Sequence, residues 1–368
     1  MTGSAHRPAG TTAPGARGLK FRTLADRLRR EIGEGVWPPG SRLPTEQELA
    51  RAHEASVSTV RRAVADLVAE ELVVRRQGSG TYVLAPKAGG GRSALIGVIV
   101  PDTAFYYPRV LRGIEERLAA AGARSVIACS GYDQAREARA LADMLEAGAE
   151  GLLLAPTLAG PQSPESYLDQ LAGLPVPVVL VERRGRSLGD VTESVCTHHE
   201  AGGYDAVRHL ARLGHRRIGL VLRLNSPTTE PVDCGFQQAV RELGLAGTEF
   251  RAALEEWSPA AADRCLLGLR GAGVTAAVCF GDRQAALLEA AARRAGVRVP
   301  DDLALIAYDD EIADIAEVPL TAVSPPKHLL GRTAAGLLLN RLEHPEDSHR
   351  QILLRPAITV RESCGAAR

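Results

Sequence analysis

The chain has 368 residues, 45% of them apolar, which is too long for one ordinary core and points to two or three domains. Basic and acidic residues balance at 44 each, yet residues 1–87 hold 14 Lys/Arg against 9 Asp/Glu, so a mildly basic head precedes a mildly acidic body. No apolar run approaches the ~18 residues of a membrane span. The opening MTGSAHRPAGTTAPGARG lacks the apolar core of a signal peptide, and the six cysteines are scattered with no CxxC pair. A cytoplasmic protein with buried free thiols, no membrane partner and no cofactor is expected.

In chain order, the Gly/Ala/Pro/Thr-rich residues 1–18 read as a disordered tail. Phe21, Leu24, Leu28 and Ile32 at helical spacing predict a helix over Leu19–Gly35, stopped by Pro38-Pro39-Gly40. Thr45-Glu46-Gln47-Glu48 is a capping-box pattern opening a helix over Glu46–Ala52. Ser56 opens another, Val57–Glu70, with Val60, Val64, Leu67 and Val68 inward. Val73–Arg76 and Thr81–Leu84 alternate as strands about Gln77-Gly78-Ser79-Gly80, a hairpin. Residues 86–94, with three consecutive glycines, read as a flexible linker.

Two short helices, a turn and a glycine-broken ribbon flanked by arginines suit a helix placed in the DNA major groove with a wing beside it. Small hydroxyls at Ser56, Ser58 and Thr59 can bond bases or phosphates, and Arg61 and Arg62 supply cations. Arg75 and Arg76 charge the wing, whose glycines allow close backbone approach. Taken singly, each residue has an ordinary explanation as a cap or a solvated charge; the ordered constellation does not.

The stretches Gly40–Ala50, Ser56–Leu67 and Gly78–Val83 resemble the GntR family of bacterial repressors over about 65 residues. The resemblance implies a winged helix-turn-helix over 19–85 with DNA contacts from Arg42, Thr45, Gln47, Ser56, Val57, Ser58, Thr59, Arg61, Arg62, Arg75, Arg76, Gly78, Ser79 and Gly80. Gln47 and Val57 stand where the family usually has Arg. Val57 cannot bond a guanine but can pack on a thymine methyl, so the operator is expected to differ.

From Leu95 the chain alternates short apolar strands with amphipathic helices, which predicts parallel sheets covered by helices and divided into two lobes. Ligands in such folds sit at the carboxyl ends of strands. Segments Asp102–Glu115, Gly202–Gly219, Gly296–Asp310, Pro319–Val323 and Leu353–Ser363 resemble the LacI/GalR type, itself similar to periplasmic sugar-binding proteins. The whole is similar to GntR/LacI chimeric regulators of the arabinose-repressor type. The resemblance implies an α/β, doubly wound, dimerising body over 95–363, with crossovers near Thr197, Asp309 and Ser324. The N-lobe would hold about 95–197 and 309–323, and the C-lobe about 198–308 and 324–363.

An effector cleft is then expected at Asp102, Phe105, Tyr106, Glu182, Arg183, Trp257, Asp282 and Asp309, with Trp257 stacking on a sugar ring and Asp282 accepting from hydroxyls. Phe105, Tyr106 and Trp257 could equally be core, and Asp282 a helix cap. Val232 replaces an Arg that usually grips the effector, which weakens a neutral-sugar reading; Arg183 is a candidate substitute.

Enzyme motifs are missing. Gly89-Gly90-Gly91 precedes a strand, His199-Glu200 lacks a second zinc-ligating His, and there is no P-loop or nucleophile elbow. The expected function is a dimeric DNA-binding regulator, a repressor of a two-fold operator in double-stranded DNA, controlled by a small sugar-like effector. The alternatives are a ligand-independent regulator with a vestigial sensor, and a two-lobed enzyme.

Overall fold

The computed structural model describes residues 15–366 except positions 34, 54, 70–71, 77–78, 85–92, 160–161, 186, 188, 225 and 254–255. Residues 1–14 of the expected tail, most of the expected linker and Gly78 lie outside the described residues. The chain divides into two compact units, a head ending at Ser93 and the body that follows.

The head contains α1 (Gly15–Gly33), α2 (Glu46–Ala52), α3 (Val57–Ala69) and the antiparallel pair β1 (Val73–Arg76) and β2 (Gly80–Val83). Helix α1 begins within the expected tail, at Gly15, because Ala16, Arg17 and Leu19 are good helix formers. Thr45 caps α2 as the sequence pattern requires: its Oγ1 accepts from the Glu48 amide and the Glu48 carboxylate accepts from the Thr45 amide. Leu24, Leu28, Leu49, Val60, Val64, Leu67, Val73 and Val83 close one small core. Its inward stripe on α3 leaves Ser56, Val57, Ser58 and Arg61 outward.

The body opens with β3 (Leu95–Val100), α4 (Tyr107–Ala120), β4 (Arg124–Cys129), α5 (Gln134–Glu146), β5 (Gly151–Leu154), α6 (Pro164–Ala172), β6 (Val178–Val181) and β7 (Glu193–Thr197). It crosses into α7 (His199–Arg212), β8 (Arg217–Arg223), α8 (Thr229–Glu242), β9 (Ala246–Ala252), α9 (Pro259–Gly271), β10 (Ala276–Cys279), α10 (Asp282–Arg294), β11 (Ala304–Tyr308) and β12 (Thr321–Ser324). The chain ends with α11 (Lys327–Glu343), β13 (Gln351–Leu354) and β14 (Ala357–Thr359). One sheet runs β13-β7-β6-β5-β3-β4, all parallel; the other runs β14-β12-β11-β10-β8-β9, parallel except for β14.

The expected lobe boundaries need correction. β12 pairs in parallel with β11, Ile306 opposite Thr321, and so belongs to the C-lobe. Helix α11 places Leu330, Ala334 and Leu338 in the N-lobe core, and β13 pairs with β7. The crossovers therefore fall after β7, after β12 and between β13 and β14; the chain does not leave the C-lobe at Asp309. The short link from β11 to β12 buries Ala313 and Leu320 in the C-lobe core, which ties it to that lobe.

Glycines set two close helix pairs. A Cβ on Gly331 of α11 would stand 2.0 Å from the Val110 carbonyl oxygen of α4, and one on Gly235 of α8 would stand 1.9 Å from that of Glu200 in α7. The six cysteines are free, as expected; four are buried, and Cys129 and Cys234 are exposed. Cys129 lies on the edge strand β4 and Cys234 on an outer position of α8.

Candidate nucleic-acid interface and ligand cleft

In the head, the residues expected to meet DNA surround the amino end of α3 and the β1–β2 ribbon. Ser56 caps α3, its Oγ accepting from the Thr59 amide at 3.2 Å and lying 2.9 Å from Ser58 Oγ and 2.8 Å from Thr59 Oγ1. The three hydroxyls thus form one cluster on the exposed end of the helix, beside Val57, which is 37% exposed. Glu46 joins helix and wing: its carboxylate accepts from Arg61 Nε at 3.0 Å and from Arg75 Nη2 at 2.9 Å. Arg42, Arg61, Arg75 and Arg76 line one recess of about 470 Å³. Gly80 has φ +120°, a backbone conformation that favours glycine, and the nearest neighbour a Cβ would meet is the movable end of Arg42, Nε at 2.6 Å. Thr45 and Gln47 are exposed alongside. Ser79 Oγ lies 2.7 Å from the Tyr82 hydroxyl, and Arg76 stacks 4.8 Å over the Tyr82 ring. Arg62 is exposed, and its guanidinium stacks 4.1 Å over Phe21 of α1.

In the body, a cleft of about 550 Å³ lies at the carboxyl ends of the strands of both sheets. Asp102, Phe105 and Tyr106 follow β3, Glu182 and Arg183 follow β6, Asp282 follows β10 and Asp309 follows β11; all seven line it. Among the described residues, the non-glycine positions with positive φ are Phe105, Tyr132, Glu182, Asp309 and Asp310. Four of these five line the cleft, and the fifth adjoins it. Strain gathered at one place marks a site whose geometry the rest of the fold holds.

Glu182 is the best-held charge. Its carboxylate accepts from the Thr197 amide at 3.0 Å, from Thr197 Oγ1 at 2.7 Å and from the Tyr106 hydroxyl, and lies 3.5 Å from His199 Nε2. Burial opposes its ionisation, but His199, Tyr106 and the Thr197 amide outweigh burial and hold the carboxyl at about 2. His199 Nδ1 in turn lies 3.0 Å from the Tyr308 hydroxyl, so the chain Tyr106–Glu182–His199–Tyr308 passes from one lobe to the other.

Asp282 lines the cleft and also braces it. It is the first residue of α10 and not its cap, and it accepts the amides of Asp310 (3.2 Å), Glu311 (2.6 Å) and Ile312 (2.9 Å). It pins the loop after β11, and that loop presents Asp309. Burial, reinforced by the Asp282 charge, pushes the Asp309 carboxyl up to about 6 against the pull of Lys327. No hydrogen bond engages the Asp309 carboxylate among the described residues, which leaves it the open acceptor of the cleft.

Trp257 is a correction. It is 4% exposed, packs in the C-lobe core edge-on to Phe250 at 5.8 Å, and does not line the cleft. Aromatic identity alone could not separate stacking platform from core. Val232 is fully buried in the C-lobe core. A cation reaches the cleft by another route: Arg223, at the end of β8, lines it, as do Tyr107, Tyr132, His199 and Arg283. Arg223 ends the apolar strand RIGLVLR, so the rule that located Glu182 would have located it too.

These two parts, a wing-bearing head with arginines on one face and a two-lobed body with a cleft at its strand ends, define a DNA-binding transcriptional regulator. Residues 20–83 match the model of bacterial regulatory proteins of the gntR family, and residues 207–364 match that of the periplasmic binding protein-like domain. The arabinose metabolism transcriptional repressor of Geobacillus stearothermophilus is 31% identical over 94% of this chain and 97% of its own length. Its namesake from Halalkalibacterium halodurans is 28% identical over 95% and 97%. A LacI family transcriptional regulator of Enterococcus faecium, solved with bound ribose, superposes with a TM-score of 0.60 at 25% identity, over 73% of this chain and 98% of its own. The chain belongs to the family of the arabinose metabolism transcriptional repressors, GntR-headed regulators with a LacI-like body, and is a DNA-binding regulator, not an enzyme. No helix among the described residues is long and apolar enough to cross a membrane.

Proposed function

We propose that this protein is a cytoplasmic repressor that binds a two-fold operator in double-stranded DNA as a homodimer and is controlled by a sugar or sugar derivative held between the lobes. The observation that carries the reading is the open carboxylate of Asp309, presented on a loop that Asp282 fixes with three amide bonds, in a cleft walled by both lobes. A polyol offers the hydroxyl donors such a carboxylate accepts. Named relatives act in arabinose metabolism, and one related regulator is known with ribose bound, which supports the class of ligand. Linkage requires reciprocity: whatever factor the effector takes from operator affinity, the operator takes from effector affinity.

Operator selection from random duplex DNA, followed by calorimetry against pentoses and hexoses with and without the selected duplex, tests this reading. A site with two-fold symmetry and a sugar that binds more weakly to the DNA complex are expected. An asymmetric site would sink the dimer. The alternative of a ligand-independent regulator with a vestigial sensor rests on Val232. Arg223 at the cleft removes most of its weight.

A further inference from the structure

Of the three arginines that line the cleft, Arg183 and Arg223 come from opposite lobes. Arg183, only 9% exposed, lines the cleft and makes one hydrogen bond, from Nη1 to the Glu182 carbonyl oxygen at 2.9 Å. The neighbouring Glu182 carboxylate is occupied by Tyr106, Thr197 and His199. Arg223 enters from the other lobe, donates to Ser226 Oγ at 3.3 Å and stacks 5.6 Å from the Phe280 ring centroid. Neither guanidinium is in an ion pair among the described residues. Both bear on one point: burial pushes the Tyr132 phenol up, while the charges of Arg183 and Arg223 pull it back.

The acidic groups of the wall are mostly spent. Asp282 holds three amides, Glu311 pairs with Lys327 at 2.6 Å, and Asp102 accepts the Ala104 amide at 2.8 Å. Asp102 and Asp309 act on Tyr132 in the opposite sense, so both signs of charge meet in this space. What remains is one carboxylate, Asp309, on which the Arg223 charge already acts, set against arginines from both lobes. Burying the Arg183 guanidinium is costly, and a ligand anion that bonds it recovers part of that cost on binding; Arg223 is only half-buried.

We propose that the effector is an anionic sugar derivative, with its carboxylate or phosphate clamped between Arg183 and Arg223 and its hydroxyls turned to Asp309. This rests on the reading of the cleft as the effector site and narrows it. An anion shared by the lobes ties them together, which gives ligand charge a direct part in lobe closure.

Calorimetry on the full chain decides it, using D-ribose and L-arabinose beside D-ribose 5-phosphate, D-arabinose 5-phosphate, L-arabinonate and D-galacturonate. At least one anionic compound is expected to bind about 10- to 100-fold more tightly than the neutral pentoses, the scale of a lost charge-assisted contact. The tighter subset, phosphates or acids, identifies the anion. Arg183→Gln and Arg223→Gln should each cost the anionic compound at least about tenfold more affinity than they cost the neutral pentoses. Unchanged operator binding by both variants shows that they fold. A neutral pentose that binds as tightly as every anion, or a preference that survives both substitutions, overturns the proposal. If a neutral pentose binds and releases operator, the sensing reading stands and only the anion clamp falls. If no compound binds, both fail.

Discussion

The ammonium of Lys327, at the start of an N-lobe helix, lies 2.6 Å from the carboxylate of Glu311 in the C-lobe loop after β11. Lys327 is 2% exposed, donates also to the Asp309 carbonyl oxygen, and stands 5.1 Å over the Tyr106 ring. One buried cation thus joins the two lobes and supports the strained loop that carries Asp309. Lys327→Met removes that cation and leaves Glu311 with only Arg109, at 3.7 Å. We expect a loss of about 3 kcal/mol, the scale for breaking a buried pair, measured by urea unfolding. A loss below about 0.5 kcal/mol, as for an exposed pair, would show the contact to be incidental.

The Asp309 carboxyl, raised to about 6 from an ordinary value near 3.8, binds protons more strongly in the folded state. Stability therefore falls as pH rises from about 4 to 6, and the full penalty applies above that window. Asp309→Asn removes the penalty and tolerates the residue's φ of +93°. Thermal melts should show the variant more stable than the parent at pH 7.5, by up to about 3 kcal/mol, with no advantage near pH 4. Equal gains at both pH values would refute the titration account.

Glu182 has the opposite sign. Held at about 2, it contributes stability that is present above pH 4.5 and lost as pH falls towards 2. Glu182→Gln should cost about 3 kcal/mol at pH 7, with the difference shrinking on acidification. A constant difference down to pH 3 would mean that shape, not charge, is what the site needs.

Gly331→Ala places a methyl 2.0 Å from the Val110 carbonyl oxygen. Backbone cannot yield as a flexible side chain can, so α4 and α11 must separate. We expect a loss of about 2–4 kcal/mol by urea unfolding, although alanine is the better helix former by about 1 kcal/mol. A neutral or stabilising result would place the two helices farther apart.

At the head, Val57 is exposed at the first turn of α3 beside the Ser56 hydroxyl cluster. Val57→Arg should introduce a preference for guanine at one position in each half-site, worth about 1–3 kcal/mol over other bases. Selection from random duplex DNA with parent and variant reads this directly. An unchanged consensus would place Val57 away from the bases.

Local patterns were the legible part of this chain. The Thr45–Glu48 capping box and the start of α3 at Val57 depend on residues within four positions of each other, and both appear as spacing alone implies. Seven of the eight residues to which the family resemblance pointed line the cleft, and each lies within six residues after an apolar strand, where the fold places ligands. Trp257 failed because burial of an aromatic is settled by partners distant in sequence, here Phe250 and the α9 core. Lobe membership of β12, α11 and β13 failed for the same reason: strand pairing across the crossovers has no local signature. The edge strand β9, AGTEFRA, carries no apolar run to announce it.

The most direct test is an anisotropy titration of a labelled operator duplex with the full-length chain, with and without saturating pentose, pentose phosphate or sugar acid. At least one compound should change operator affinity by about fivefold or more, the usual scale of allosteric coupling, and Asp309→Asn should weaken that response. Operator affinity that no compound alters, in a protein whose cleft nonetheless binds one, would contradict the account.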